Sequence, residues 1–230
     1  MCGRFTQKSR PQELVEAFEL DVLPEDLGPR YNIAPTQPVL VIANRPGPRR
    51  AETMAWGLTP AWSPRPGSPT LLVNARSETA ATKPSFRDAL RYRRGLLLMD
   101  GFYEWQTNGK HKQPFWFFLP DQRPFAVAAL WQLPPLQPAG QDALPQLCLL
   151  TTGPCATVAP IHDRMPVILP PAAWPQWLGQ TPMDQAQLSE LMLPWQGEMH
   201  SRAVGTRVND ARIEGPQLIE PSAPIAPRLL

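Results

Sequence analysis

The sequence lacks the long hydrophobic runs, the apolar leader and the paired cysteines that mark membrane-spanning and secreted proteins. No apolar stretch reaches the ~18 residues that a membrane-spanning helix needs. The N-terminal segment MCGRFTQKSR contains no hydrophobic region of a secretory signal. The three cysteines are an odd number for a disulfide framework. We therefore expect a protein of the reducing cytoplasm with no contact to a membrane.

The chain also lacks a large excess of either charge. The 22 lysines and arginines are opposed by 20 aspartates and glutamates, so the formal net charge is +2. Such a chain has no overall field that attracts nucleic acid. If it binds DNA, it must do so through a local basic patch.

Proline, by contrast, is abundant: 31 of 230 residues, about 13% against a usual ~5%. Prolines interrupt helices and central strands, so they favour short elements joined by stiff loops. Apolar residues make up 43% of the chain, which is enough for a substantial core. We predict one α+β domain with several antiparallel strands and few helices.

Hydrophobic patterning and turn residues place the predicted elements. Helices are expected over residues 9–20 and 85–92, each capped by its first serine, and near residues 172–178 and 184–192. Strands are expected over residues 38–43, 96–99, 115–119, 125–130, 147–151 and 165–169. Residues 60–69 are expected to form a proline-rich loop, and residues 221–230 a loose tail.

Cys2 is the most informative single position. Methionine aminopeptidases remove Met1 when the second side chain is small, and the chain then begins with a 1,2-aminothiol. Its α-amine, with a pKa near ~7.7–8.0, is partly neutral and nucleophilic at physiological pH. Such a group attacks an aldehyde twice, first through nitrogen to an imine and then through sulfur to a thiazolidine. A cysteine at position 2, taken alone, is more often incidental.

Two further segments carry groups that can hold or move protons. In NARSE, an extended backbone would place Asn74, Arg76 and Glu78 on one face, although a solvated strand face has the same pattern. In FYEW, Glu104 lies within an aromatic run, where apolar surroundings raise the pKa of a carboxyl towards that of a general acid or base. A strand that simply exposes Glu104 to solvent is an equal alternative.

The segment PIHDRMP supplies His162 and, two residues later, Arg164. A histidine between charged neighbours suits proton transfer, and an arginine on the same strand face suits an anion such as phosphate. A structural histidine is the alternative. Cys148, Cys155 and His162 are spaced by seven, unlike the close pairs of zinc sites, and Cys148 lies in an apolar run. We therefore expect neither a metal nor a cofactor.

Aromatic residues also alternate with basic ones. Trp62 lies near Arg65, and Trp105 near Lys110 and Lys112. Rings of this kind stack on the bases of single-stranded DNA while basic side chains hold phosphates. Most of the eight tryptophans are nevertheless expected to fill the core.

These residues occur in a series of motifs that resembles the SOS response-associated peptidase (SRAP) family. The resemblance runs from residue 1 to about residue 221 and leaves residues 222–230 as a tail. Its motifs are MCGRF at the start, RYNIAP at 30–35, WGLTPAW at 56–62, NARSET at 74–79, DGFYEW at 100–105, IHDRMPVIL at 161–169 and VGTRVNDARIEGPQLIEP at 204–221. Ser63 departs from relatives that carry a second tryptophan there, which weakens an expected stacking surface.

The resemblance implies a single domain of curved, barrel-like antiparallel sheets around a DNA-binding groove. It implies a sensor of abasic sites in single-stranded DNA that crosslinks them through Cys2 as a thiazolidine and acts as a monomer. Asn74 then orients the sugar or the N-terminus, Glu104 acts as general acid and base, and His162 assists proton transfer and crosslink reversal. The implied DNA contacts are Arg4, Arg76 and Arg164 to phosphates, Pro35, Trp62 and Trp105 by stacking, and Thr151 through its backbone.

Three functions follow from this sequence. The first is the crosslinker, in which a slow closure of the thiazolidine would allow β-elimination as a weak lyase activity. The second is a cysteine-type peptidase or hydrolase that uses Cys2 with His162 and Glu104. The third is a non-catalytic reader that binds single strands by stacking alone. A covalent adduct that requires an abasic aldehyde distinguishes the first from the other two.

Overall fold

The computed structural model describes residues 2–60, 71–109, 111–133 and 143–223. Within these ranges the chain forms thirteen strands and five short α-helices. The strands are β1 (Phe5–Gln7), β2 (Arg30–Ile33), β3 (Pro38–Ala43), β4 (Ala51–Trp56), β5 (Asn74–Arg76), β6 (Arg94–Met99), β7 (Gly101–Asn108), β8 (His111–Phe118), β9 (Phe125–Gln132), β10 (Gln146–Thr152), β11 (Met165–Pro166), β12 (Ile168–Leu169) and β13 (His200–Ala203). The helices are α1 (Pro11–Phe18), α2 (Ser77–Ala80), α3 (Arg87–Tyr92), α4 (Trp174–Trp177) and α5 (Gln185–Leu191). Single-turn 3₁₀ helices cover Pro120–Gln122, Pro171–Ala173, Thr206–Asn209 and Pro216–Ile219.

Five strands close into a barrel in the order β4, β3, β6, β9 and β10. Four of the five pairings are antiparallel. The fifth, between β10 and β4, is parallel and closes the ring, with Leu147 opposite Trp56. Strands β5 and β11 add to β10, and β12 adds to β9. The barrel therefore carries β5, with Asn74, at one of its edges.

A second sheet has the strand order β13, β8, β7, β1 and β2 and is antiparallel throughout. The chain passes into it directly from the barrel, because only Asp100 separates β6 from β7. Gly101 begins β7 where a Cβ atom would lie 2.6 Å from the carbonyl oxygen of Phe117. This close approach requires glycine and lets the β7–β8 hairpin pack tightly at the junction.

Three of the barrel strands, β3, β6 and β9, are buried on both faces, which explains why they are continuous apolar runs rather than alternating ones. In β6, Leu96 and Leu98 join a cluster that includes side chains of α1, α3, α4 and α5. Leu97 and Met99 face the other way, into a cluster with Phe5 and aromatic residues of the second sheet. The second sheet is thus fixed to the barrel, and its β1 and β7 strands hold the two ends of the site described below.

The architecture confirms the predicted α+β class and the barrel-like, largely antiparallel sheets. The predicted strand at residues 38–43 is β3, and Asp184 caps α5 by accepting a hydrogen bond from the Gln187 backbone N–H. Both predicted serine caps are wrong, because Arg10 and Phe86 occupy the N-cap positions of α1 and α3.

Two predicted extended segments are also interrupted. The strand predicted over residues 165–169 is divided into β11 and β12 at Val167, whose carbonyl accepts a hydrogen bond from Ala128 of β9. The segment NARSE is extended only to Arg76, and Glu78 lies on α2. Most of the predicted proline-rich loop, and residues 224–230 of the predicted tail, lie outside the described residues. In the part of the chain that the structure describes, no helix is long and apolar enough to cross a membrane.

Candidate active site

Cys2 lies at the seam between the barrel and the second sheet. It precedes β1 and is fully buried. Asn74, the first residue of β5, donates a hydrogen bond from Nδ2 to the Cys2 carbonyl oxygen over 2.9 Å. Burial raises the pKa of the Cys2 thiol, and the charge of the nearby Glu104 carboxylate raises it further. The residue is therefore held by its backbone with a protonated thiol.

Glu104 projects from β7 and is 2% exposed. Burial raises its pKa to about 7, and the negative charge of Asp163 adds to this rise. A carboxyl with a pKa near neutrality exchanges protons readily under physiological conditions. Of the two alternatives in the sequence, the structure therefore selects the buried carboxyl over the solvent-exposed one.

His162 faces Glu104 from the loop that leads into β11, and its Nε2 atom lies 3.6 Å from Oε2 of Glu104. Its Nδ1 atom lies 3.0 Å from the Arg164 backbone nitrogen, whose N–H can donate to it, and 3.2 Å from the Arg164 carbonyl oxygen. Burial lowers the pKa of His162, so the neutral ring is favoured. Protonation would add an ion pair with Asp163, whose Oδ1 lies 3.2 Å from Nδ1.

An open cleft of about 440 Å³ lies above this pair. Its wall includes Trp105, which is half-buried and whose Nε1 donates to Oδ1 of Asn209 over 2.8 Å. Arg4 is fixed by bonds of 2.7 Å from Nη1 to Oδ1 of Asn32 and to the carbonyl of Val208. The lining residues are Arg4, Glu104, Trp105, Thr107, Lys112, His162 and Asn209. The cleft thus combines two cations, a fixed indole ring and a proton-exchanging pair.

A third cation, Arg164, is held beside the cleft by Glu78 and Thr151. Its guanidinium forms a bidentate ion pair with Glu78, and Nη2 also donates to the Thr151 carbonyl over 2.6 Å. Thr151 itself is completely buried, so its backbone carbonyl is engaged within the protein. Arg76, at the end of β5, is exposed.

The structure brings together the four residues proposed for chemistry: Asn74 contacts Cys2, His162 lies against Glu104, and the charge of Glu104 acts on the Cys2 thiol. Arg4 and Trp105 line the same cleft, whereas Pro35 is half-buried and is not among its lining residues. Trp62 lies outside the described residues. The sequence did not reveal Thr107 or Asn209 as part of the site. Asn209 is 104 positions from Trp105, and no local pattern signals such a pairing.

The described residues offer no metal site of the usual kind. Across residues 2–60, 71–109, 111–133 and 143–223, no group of three or more His, Cys, Asp or Glu side chains is arranged to hold a metal ion. Cys148 is buried in β10, in the apolar cluster that includes Leu150, as expected for a core residue.

A barrel joined to a second sheet, with a position-2 cysteine beside a buried carboxyl–imidazole pair, defines a candidate active site centred on the N-terminus. A family model described as SOS response associated peptidase (SRAP) matches residues 1–211. The chain belongs to this family.

Named relatives resemble the chain over nearly its whole length. It is 37% identical over 227 residues to abasic site processing protein YoqW of Bacillus subtilis (strain 168), covering 96% of this chain and 99% of the relative. It is 34% identical to abasic site processing protein YedK of Escherichia coli (strain K12), covering 96% and 100%. A solved protein from Bacteroides thetaiotaomicron, 19% identical, superposes with a TM-score of 0.81 over 96% of this chain and 100% of that one, and shares the fold.

Proposed function

We propose that this protein captures abasic sites in single-stranded DNA by forming a thiazolidine between Cys2 and the ring-opened deoxyribose. The observation that carries the proposal is the contact between Glu104 and His162 beside a cysteine that is held at position 2. The names of the relatives, which are abasic site processing proteins, support the choice of substrate. The protein would act as a monomer in the cytoplasm.

The reaction requires removal of Met1, because only then does the backbone nitrogen of Cys2 become an amine. The hydrogen bond from Asn74 does not depend on this processing, since Asn74 binds the carbonyl of Cys2 and not its nitrogen. The hydrogen bond is therefore available both before and after Met1 is removed. Asn74 keeps the new amine and the thiol in one place relative to Glu104.

The proposed steps balance as a condensation. The neutral amine of Cys2 adds to C1′ of the open-chain aldehyde and gives a carbinolamine. Glu104, protonated, donates its proton to the departing hydroxyl, so water leaves, an iminium ion (the protonated imine) forms and Glu104 is left ionised. The thiol sulfur of Cys2 then bonds to C1′ as the C=N π electrons return to nitrogen, and the thiol proton returns to Glu104 with the assistance of His162. The product is a five-membered ring, and one water is lost overall.

The imine is also the branch point for a weak lyase activity. A Schiff base at C1′ acidifies the proton on C2′, so a base can remove it and expel the 3′ phosphate by β-elimination. Glu104 in its ionised form would serve as that base. Ring closure by the Cys2 sulfur removes the imine and suppresses the cleavage.

The proposed DNA contacts surround the chemistry. Arg4, Arg76 and Arg164 would bind phosphates, and Trp105 would stack on a base with its ring plane fixed by Asn209. For Pro35, Trp62 and the Thr151 backbone, the proposed contacts rest on the family resemblance. Lys112 adds a positive charge to the lining of the cleft.

A cysteine peptidase that uses Cys2 with His162 and Glu104 is less well supported. Such an enzyme needs a thiolate, and burial raises the pKa of the Cys2 thiol. The thiazolidine mechanism needs a nucleophilic amine first and accepts a protonated thiol. The raised thiol pKa therefore favours aldehyde capture.

The test is an intact-mass spectrum of the protein before and after incubation with a single-stranded abasic oligonucleotide. We expect the loss of Met1, followed by a mass gain equal to the oligonucleotide minus one water. Cys2→Ala should abolish the gain, whereas Cys155→Ala, at a half-buried cysteine outside the site, should retain it. An undiminished adduct with Cys2→Ala would contradict the mechanism.

A further inference from the structure

Glu78 holds Arg164 with both of its carboxylate oxygens. Its Oε1 lies 2.6 Å from Nη1 and its Oε2 lies 3.0 Å from Nη2. The pair joins α2 to the segment that carries His162, although the two residues are 86 positions apart. The pKa of Glu78 is lowered chiefly by this contact, so the carboxylate is ionised at neutral pH.

The remaining donors of Arg164 do not offer a phosphate a second bidentate site. Nη2 also donates to the carbonyl and hydroxyl oxygens of Thr151. Nε is buried, with no hydrogen-bond partner among the described residues. A DNA phosphate that binds Arg164 in bidentate geometry must therefore approach the pair of terminal nitrogens that Glu78 already occupies. Carboxylates and phosphates bind a guanidinium in the same bidentate geometry, so the two ligands exclude one another.

The two side chains differ in their freedom to move. The Arg164 side chain is 13% exposed and is anchored by Thr151, whereas the Glu78 side chain is 52% exposed. An exchange of partners would therefore occur by movement of Glu78 into solvent while Arg164 stays in place. The half-exposed Glu78 carboxylate regains hydration when it leaves Arg164, and this offsets much of the lost ion pair.

We propose that Glu78 competes with DNA phosphate for Arg164 and in this way determines the specificity of the protein against undamaged single strands. This inference rests on the proposed function. Intact DNA is held only by reversible contacts, so a competing carboxylate shortens its stay. Abasic DNA is retained by the covalent bond to Cys2, so the same competition does not release it once the crosslink has formed.

The experiment measures the affinity for an intact single-stranded oligonucleotide, by fluorescence anisotropy at several salt concentrations. Glu78→Gln should bind about threefold to tenfold more tightly than the wild type, and its salt dependence should steepen by about 0.7, the slope of one additional phosphate contact on a single strand. Glu16→Gln, at an exposed position of α1, changes the net charge equally and should have a much smaller effect. In an Arg164→Gln background, Glu78→Gln should add no more than Glu16→Gln does.

An unchanged or weaker affinity of Glu78→Gln would overturn the competition, since a weaker affinity would mean that Glu78 orients Arg164 for DNA. A tightening by Glu78→Gln that persists in full in the Arg164→Gln background would overturn it as well, because the effect would then not pass through Arg164. Thermal unfolding of each variant checks that the fold is retained. Adduct formation with an abasic oligonucleotide, measured on the same proteins, tests the proposed function separately. Loss of the adduct in the wild type would contradict the crosslink without altering the result on intact DNA.

Discussion

Asp100 and Glu104 are two buried carboxyls four positions apart, where the chain leaves β6 and runs along β7. They are 0% and 2% exposed, and burial raises the pKa of both. Their partners differ. Asp100 accepts hydrogen bonds from the backbone N–H groups of Lys8 and Ser9 and from the Ser9 hydroxyl. Glu104 instead faces the imidazole of His162 and lines the cleft.

The difference shows that burial alone does not make a carboxyl chemically active. Asp100 is surrounded by fixed donors that also define how the chain turns from β1 towards α1, so its role is to stabilise the fold. Glu104 has a partner that can itself gain or lose a proton, and it borders a space that can admit a substrate. The roles of the two residues can therefore be distinguished experimentally: substitution of Asp100 should change the free energy of unfolding, and substitution of Glu104 should change the crosslinking rate.

The largest expected effect is on the crosslinking rate of a Glu104 variant. Glu104→Gln removes the proton donor and acceptor while conserving shape, so we expect crosslinking to slow by about 10²–10⁴-fold. The free energy of unfolding should fall little or not at all. Quenched time courses with an abasic oligonucleotide, resolved on a denaturing gel, give the rate. An unchanged rate would move the acid–base role to another group.

Asp100→Asn should show the reverse behaviour. In this variant a side-chain amide replaces the carboxylate, and its N–H group cannot accept the hydrogen bonds that Lys8 and Ser9 donate. We therefore expect a loss of about 2–3 kcal/mol in the free energy of unfolding. The crosslinking rate of the protein that remains folded should match the wild type. Denaturant titration measures the first quantity, and the assay for Glu104→Gln measures the second. A rate defect as large as that of Glu104→Gln would remove the distinction between the two carboxyls.

The pH dependence of the rate gives a smaller effect, of a few-fold, that sharpens the comparison. The α-amine must be neutral, so the rate should rise with pH up to ~8. Glu104 must be protonated when water leaves, and its pKa is about 7, so the rate should fall at higher pH. The wild type should show a maximum between these values, and Glu104→Gln should keep the rise without the fall. A falling limb in the variant would assign it to another group.

The free energy of unfolding also depends on the ionisation of Glu104. The pKa of Glu104 rises on folding from 4.5 to about 7, so the folded state binds more protons between these values. Its contribution to the free energy of unfolding therefore decreases as pH rises through this window and is constant above it. Glu104→Gln lacks this contribution, and the stability difference between variant and wild type should shift in favour of the variant over the same range.

Local patterns predicted much of the fold. The run PVLVIA is β3, the apolar run before Asp100 is the end of β6, and the helix predicted near residues 184–192 is α5. These elements are specified by neighbours within a few residues. The α+β class and the barrel-like sheets followed from the same patterns together with the family resemblance.

Features that depend on distant residues could not be predicted in this way. The barrel closes through a parallel pairing of β10 with β4 whose partners are about ninety positions apart. Ser9 is not a helix cap because Asp100 takes its hydroxyl. The ion pair of Glu78 with Arg164 arises because β5 ends at Arg76 and α2 turns Glu78 towards β11. The sequence indicated candidate residues, but only the fold showed that Glu104 lies against His162 and that Glu78 pairs with Arg164.

The hydrogen bond from Asn74 to the carbonyl of Cys2 has a practical meaning for anyone who expresses this protein. An affinity tag fused ahead of Cys2 would leave the carbonyl in place but turn the amine into an amide. Such a fusion should fold and bind single-stranded DNA normally, yet remain unable to form a thiazolidine with an aldehyde. It would serve as a chemically silent counterpart with every side chain intact, and preparations meant to be active should carry their tag at the opposite end.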